Sequence, residues 1–238
     1  YYRLRKKTPR LEQLGIEITN RCNLCCRHCY MSAVGAPEQE LVSKDEWISF
    51  FRQLKDDFGN KIPIGITGGE PLLRRDFFEI LDTINVLGFS CTMVTNGTLL
   101  TADTARRLKG KLKAIAISLD GFADSHNHLR RSEVFDKAVV AVATARDILS
   151  IPLWIKTVVY GKNVRDLREF RKLVESLGVS EWHILAMEQI GRGNENRKEG
   201  LSDGEYTELV GFIVELKQEK NRKIRIVFDE QSIENRSI

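Results

Sequence analysis

Arg21–Tyr30 reads RCNLCCRHCY and holds four of the chain's five cysteines. Thiols crowded this closely point to metal binding or redox chemistry. Cys22-x-x-Cys25 and Cys26-x-x-Cys29 resemble two zinc-type pairs, but adjacent residues of an extended loop tend to point apart. A tetrahedral ion shared by Cys25 and Cys26 is therefore strained. A thioredoxin-like pair needs one Cys-x-x-Cys at a helix start and gives the other thiols no purpose. A third reading takes Cys22, Cys26 and Cys29. Three thiolates at this Cx3Cx2C spacing can hold a four-iron cluster and leave the fourth iron without a protein ligand, whereas electron-transfer clusters take four cysteines. An uncapped iron can receive a small molecule, by the logic that separates catalytic from structural zinc. Cys25 is then a spare thiol turned away, and Cys91 a small buried thiol.

Other residue groups bear on chemistry. Thr67–Pro71 reads TGGEP. The glycines let backbone approach a ligand closely, and a carboxylate with carbonyls suits a cation, where a phosphate loop would present N–H donors and Lys. Ser118–Gly121 (SLDG) precedes HNHLRR. His126 and His128 have a spacing that metal ligands use, but no acid or Cys stands near them in sequence, so they read as polar loop residues. Asn96-Gly97 makes a turn. Glu17, Lys156 and His183 fall on strands. If they face a cavity they are buried ionisable groups, expensive unless paired or used, so they are substrate-pocket candidates alongside structural ion pairing.

These groups sit at the ends of regular elements. Strand patterns cover Leu14–Thr19, Ile62–Thr67, Phe89–Thr95, Ala114–Leu119, Leu153–Tyr160, Glu181–Met187 and Lys223–Phe228. Helical patterns cover Ser43–Phe58, Arg74–Leu87, Thr101–Leu108, Val134–Leu149, Val164–Leu177 and Ser202–Glu219. Capping boxes open two of these, at Ser43 with Glu46 and Ser202 with Glu205. Gly191–Gly200 is the loosest segment. Strands alternating with helices imply a parallel sheet covered by helices. Doubly wound and barrel arrangements share that order. In LGIEIT, IPIGIT and AIAISLD, however, apolar residues alternate with small or polar ones, whereas a doubly wound sheet buries both faces in continuous hydrophobics. The alternation favours a barrel, with functional loops at the strands' C-terminal ends. We expect a partial (β/α)6 TIM-like barrel, α/β in class, as one domain over residues 1–238, with residues 222–238 beginning a C-terminal extension.

The bulk properties are ordinary. Apolar residues make up 42% and charged residues 29%, with a net charge of +4. The charge gives no footing for nucleic-acid binding, and no apolar run is long enough to span a membrane. The basic opening YYRLRKK reads as a solvated tail or a first helical turn. Clustered thiols fit a reducing, cytoplasmic location better than a disulfide framework. An initial Tyr and a closing SIENRSI suggest a piece of a longer protein.

CNLCCRHC after the first strand and GGEP after the second resemble the radical S-adenosylmethionine (SAM) superfamily, whose motif is CxxxCx-aromatic-C, with His28 in the aromatic place. The resemblance runs from about Leu14 to Met187. It implies that Cys22, Cys26 and Cys29 ligate a [4Fe-4S] cluster whose open iron is chelated by SAM. Reductive cleavage would yield methionine and a 5′-deoxyadenosyl radical that takes hydrogen from a substrate, the protein positioning the parts. It further implies that His28, Gly68, Gly69, Glu70, Asn96, Ser118 and Arg130 contact the cofactor: the glycine carbonyls and Glu70 hold the SAM ammonium, and Ser118 and Arg130 hold ribose and carboxylate. Asn127 stands where Asp is commoner in the SLDG…HDxxR run. Gly191–Gly193 resembles a Gly-Arg element near the adenine. The motif style is that of members with SPASM or twitch extensions, which implies a peptide or protein side chain as substrate, with tetrapyrrole side-chain modification as the alternative. Outside the family, a zinc-stabilised binding module is the competing class. The expected partners are a flavodoxin- or ferredoxin-type electron donor and the substrate. No cysteine follows Cys91, so any auxiliary cluster would lie beyond Ile238.

Overall fold

The computed structural model describes residues 11–33, 35, 40–220 and 222–228. The basic opening and the last ten residues lie outside these. Seven strands form one parallel sheet: β1 (Leu14–Glu17), β2 (Ile64–Thr67), β3 (Cys91–Thr95), β4 (Ala114–Ser118), β5 (Leu153–Val159), β6 (Glu181–Ala186) and β7 (Arg225–Phe228). Their spatial order is the sequence order, each strand paired with the next. A doubly wound sheet reverses order at its middle; this one does not. Connections of one hand in constant order lay covering helices over one face. The other face lines a cavity. Among the described residues β1 and β7 do not pair, so the barrel is partial, as the strand alternation predicts.

That alternation separates the two faces. Ile64, Ile66, Met93, Ile155, Trp182 and Ile184 are buried under the helices. Between them Gly65, Thr67, Thr92, Val94, Lys156, Val158, His183 and Leu185 are only partly covered and line a cavity on the concave face.

The helices are α1 (Lys44–Phe58), α2 (Phe77–Val86), α3 (Ala102–Leu108), α4 (Ala123–Arg130), α5 (Phe135–Leu149), α6 (Leu167–Ser176), α7 (Arg192–Glu195) and α8 (Asp203–Gln218). Both expected capping boxes form, at Ser43 with Glu46 and at Ser202 with Glu205. Each satisfies otherwise orphaned N–H groups at a helix start. Thr101 caps α3 by accepting from the Thr104 N–H.

Three local expectations are corrected. Arg74 does not open a helix: Pro71–Leu73 is a 3-10 turn, Arg74 is extended, and α2 begins at Phe77. The Arg74 guanidinium is buried instead and donates to the Ile18 carbonyl at 2.6 Å. His126 and His128 are not loop residues but lie on α4. This helix has no side-chain N-cap bond, and its Ser, His and Asn residues have modest helix propensity, so no local signal announced it. Gly191–Gly200 is not loose: it forms α7 and a 3-10 turn, with Arg192 buried.

Candidate active site

The cavity has a volume of about 830 Å3 and runs along the concave face to the C-terminal strand ends. Cys22, Cys26 and Cys29 line it, whereas Cys25 does not and is exposed. Each of the three thiols lies within electrostatic reach of the others. Burial pushes the Cys22 thiol up to about 11, and burial also raises Cys26. The Arg130 guanidinium opposes the rise at Cys26, where Nη1 lies 3.8 Å from Sγ. The Leu24 N–H donates to the Cys22 sulfur at 3.4 Å. Buried thiols partnered by N–H donors and a guanidinium suit a bound metal centre, which deprotonates its ligands outright. Among the described residues, no three His, Cys, Asp or Glu side chains converge on a point that a single ion could fill. A closed zinc site needs such convergence; a four-iron body, which takes one thiolate per iron, needs the sulfurs spread apart.

The glycine motif explains how the cysteine loop is held. The Gly69 N–H donates to the Thr19 carbonyl and the Glu70 N–H to the Arg21 carbonyl, both at 2.8 Å. A Cβ on Gly69 would stand 2.1 Å from the Arg21 oxygen, and one on Gly68 (φ 137°) 2.5 Å from the Thr19 oxygen. The two loops touch through backbone, and both glycines line the cavity.

Glu70 sits behind this wall rather than on it. It is fully buried, and it does not line the cavity. Its carboxylate accepts from the Thr95 hydroxyl and the Asn96 N–H, each at 2.8 Å, and from the Leu72 N–H at 3.2 Å. Burial raises its pKa against these bonds. The carboxylate expected to hold a ligand here ties the ends of β2 and β3 together. Asn96 lines the cavity, donates to Asn23 of the cysteine loop at 3.0 Å, and accepts from the Thr98 N–H in an Asx turn.

A second network supports Arg130. Asp120 is fully buried and accepts from Arg130 Nε at 2.7 Å and from the Val158 N–H at 2.9 Å. Its own N–H donates to His126 Nδ1 at 3.0 Å, and its carbonyl accepts from Asn163 Nδ2 at 2.8 Å. Burial alone would raise the Asp120 pKa, but Arg130 holds it down to about 2. Burial lowers His126 to about 4 and, with Arg130 adding to the effect, His28 to about 3. Both imidazoles are neutral near pH 7. His28 lines the cavity, and its Nδ1 is buried with no partner among the described residues. His128 lies away from the cavity and pairs with Glu199 at 2.7 Å.

Ser118, Lys156 and His183 occupy one register row across β4, β5 and β6, and all three line the cavity. Glu17 does not. It is exposed on β1 and hydrogen-bonds the Tyr30 hydroxyl. An edge strand covers one side of a residue only, so strand parity there gave no enclosure. Cys91 is buried, its thiol raised by burial to about 12.

Sequence reasoning missed Asp120 and Asn163, and it misjudged Arg192. Arg192 lines the cavity, donates from Nε to the Cys26 carbonyl at 2.8 Å, and leaves Nη1 buried without a partner among the described residues. Its backbone N–H donates to the Cys29 carbonyl at 3.0 Å. Gly191 (φ 55°) permits this contact, since a Cβ there would stand 2.2 Å from the Tyr30 oxygen. The Gly-Arg-Gly run thus clamps the cysteine loop. The buried Asp in SLDG was the available signal for Asp120; no local pattern marks Asn163.

Residues 16–176 match the radical SAM superfamily. The chain belongs to that superfamily. Its members are enzymes. The chain is 31% identical to an AdoMet-dependent heme synthase of Nitratidesulfovibrio vulgaris over 89% of its own length and 58% of that protein. It is also 31% identical to a probable GTP 3′,8-cyclase of Saccharolobus islandicus, over 90% of the chain and 70% of that protein. Among solved structures it resembles Streptococcus suis SuiB bound to its precursor peptide SuiA, with a TM-score of 0.76 and 16% identity over 94% of this chain and 51% of that one. It also resembles anSMEcpe with bound AdoMet, with a TM-score of 0.73 and 21% identity over 90% and 63%. These two likenesses show the fold. The chain spans a little over half the length of the heme synthases it matches. The radical SAM family implies SAM and a four-iron cluster as cofactors.

Proposed function

We propose that this chain is the catalytic core of a radical SAM enzyme that removes hydrogen from a substrate lying on the concave face of the sheet. The observation that carries the reading is the single wall on which three thiols, two backbone-packed glycines and Arg130 meet, with the fourth loop thiol excluded. In this reading Cys22, Cys26 and Cys29 hold the cluster. Gly68 and Gly69 offer carbonyls to the SAM ammonium, and Arg130 and Ser118 face its carboxylate and ribose. Once bound, the cofactors supply reductive cleavage of SAM to methionine and a 5′-deoxyadenosyl radical.

The chain's own contribution is placement and charge. Asp120 fixes Arg130 so that one cation stands beside the Cys26 sulfur. Glu70 fixes the loop geometry from behind, and Arg192 locks the Cys26 carbonyl. The ordered backbone contacts leave the cysteine loop little freedom, which preorganises the site before cofactor binding. An external low-potential donor of flavodoxin or ferredoxin type supplies the electron, and a cytoplasmic location fits free thiols.

A peptide or protein side chain is the first substrate reading. The fold is shared with SuiB, whose solved structure contains its precursor peptide. A tetrapyrrole side chain is the second, favoured by 31% identity to a heme synthase against 16% to SuiB. The test is anaerobic reconstitution with iron and sulfide, followed by dithionite and SAM. Brown protein that forms 5′-deoxyadenosine is the expected result. A colourless protein with one zinc, or no 5′-deoxyadenosine, overturns the reading.

A further inference from the structure

The three thiols read as cluster ligands do not share one environment. Cys22 Sγ accepts from the neutral Leu24 N–H at 3.4 Å. Cys26 Sγ lies 3.8 Å from Arg130 Nη1 and is, among the described residues, the one of the three sulfurs with a charged hydrogen-bond donor. Arg130 and Cys26 are both more than nine-tenths buried, and Asp120 behind them is fully buried.

The fold fixes this contact from two sides. Arg130 is the last residue of α4, and Arg131 ends the helix in the left-handed region at φ 54°. The carbonyls just before that end hold the cysteine loop. Leu129 accepts from the Arg27 N–H at 2.8 Å and His128 from Arg27 Nε at 3.1 Å. Leu129 adjoins Arg130 and Arg27 adjoins Cys26, so helix end and loop are tied next to the contact itself. On the far side Asp120 accepts from Arg130 Nε at 2.7 Å and is itself held to β5 by the Val158 N–H at 2.9 Å. The guanidinium has a carboxylate behind it and a sulfur in front.

The two charges act unequally on Cys26. Burial raises its pKa most. Arg130 is the next influence and favours the thiolate, and Asp120 opposes it more weakly. The pair thus turns its positive end to the sulfur. Reducing a four-iron cluster adds one negative charge to the cluster and its thiolates. A fixed charge beside a buried site acts on that change with little screening. Hydrogen bonds to the sulfurs and net charge are levers that set the potential of such a cluster.

We infer that Arg130 and Asp120 together set the reduction potential of the cluster: the guanidinium raises it through Cys26, and the carboxylate trims that rise. The inference rests on the radical SAM reading and deepens it, since it names what controls electron entry at that same site. One electron passes from the external donor to the cluster, and no bond is made or broken in the step. Both are positioning residues for charge rather than catalytic ones.

The test reconstitutes wild-type protein, R130M, D120N and R130M/D120N anaerobically with iron and sulfide. Each is titrated with dithionite in the absence of SAM, and the reduced cluster is followed by electron paramagnetic resonance. R130M should lower the potential by about tenfold in the reduction equilibrium, about 59 mV for one electron. D120N should raise it by a smaller amount. The double variant should fall below wild type, by less than R130M. Opposite signs from two touching residues mark a charge effect, which a packing role would not give. A shift below about twofold in R130M, or shifts of one sign in R130M and D120N, overturns the inference. A role of Arg130 confined to SAM gives that same null result. Thermal melts and iron contents accompany each titration. If R130M holds no cluster, the double variant takes its place, because it strands no buried charge. A potential at or above the wild-type value then overturns the inference. Wild-type protein that assembles no iron–sulfur cluster would sink the radical SAM reading, whereas a cluster indifferent to both residues would sink only the control of its potential.

Discussion

Replacing Arg130 with Met should be the most informative single change. Asp120 is fully buried, and Arg130 is its only bonded cation among the described residues. Removing one partner of a buried ion pair strands the other charge and costs about 3–5 kcal/mol. The structure also fixes how that cost depends on pH. In the wild-type protein the Asp120 pKa is about 2, below its ordinary 3.8. Its contribution, about 2 kcal/mol, is fully present above pH 3.8 and is lost as the pH falls toward 2. Without Arg130, burial is left to dominate and the folded-state pKa rises above the unfolded value. Folding of the variant then takes up a proton as the pH drops. Arg130 also holds His28 and His126 down, so its removal eases their protonation and acts in the same direction. The deficit of the variant should therefore be largest at pH 7 and shrink toward pH 5. Urea denaturation of the cluster-free protein at both pH values measures this. A deficit below about 1 kcal/mol, or one equal at pH 7 and pH 5, would refute the buried-pair account.

Other expectations follow from single contacts. Gly69→Ala places a methyl against the Arg21 carbonyl and breaks the Glu70–Arg21 backbone bond, at a cost of about 2–4 kcal/mol; unchanged urea midpoints would count against that packing. His126→Asn keeps an acceptor for the Asp120 N–H but removes a group whose pKa falls to about 4 on folding. A depressed histidine gives stability that is complete above its unfolded pKa of 6.5 and lost as the pH falls toward 4, so the variant's stability should vary less over that window, by at most about 3 kcal/mol. Cys25→Ser should retain iron and sulfide after anaerobic reconstitution, because that thiol faces outward. The same change at Cys22, Cys26 or Cys29 should lose them, and equal iron contents across the four variants would reject the assignment.

The features that could be read along the chain are those whose partners are close in sequence. The capping boxes involve side chains three residues apart. The strands carry their two faces in a period of two. The choice of Cys22, Cys26 and Cys29 over Cys25 followed from spacing and resemblance, and exposure sets Cys25 apart in the fold. Local propensity misled at α4, where His126 and His128 lack a capping side chain yet are helical, because α4 must carry Arg130 to Asp120 and Cys26.

What only the tertiary structure decided concerns partners far apart in sequence. Glu70 reaches Asn96 across 26 positions, Asp120 reaches Val158 across 38, and Arg192 reaches Cys26 across 166. Glu17 and Lys156 had the same strand pattern. The sheet's edge exposes one, and its interior turns the other into the cavity. By itself the sequence determined the parallel strand–helix order and the loop of thiols, since periodicity and spacing are local. Which polar groups stand on the cavity wall and which brace it from behind depended on the sheet closing partway round, because burial and charge pairing exist only once distant segments meet.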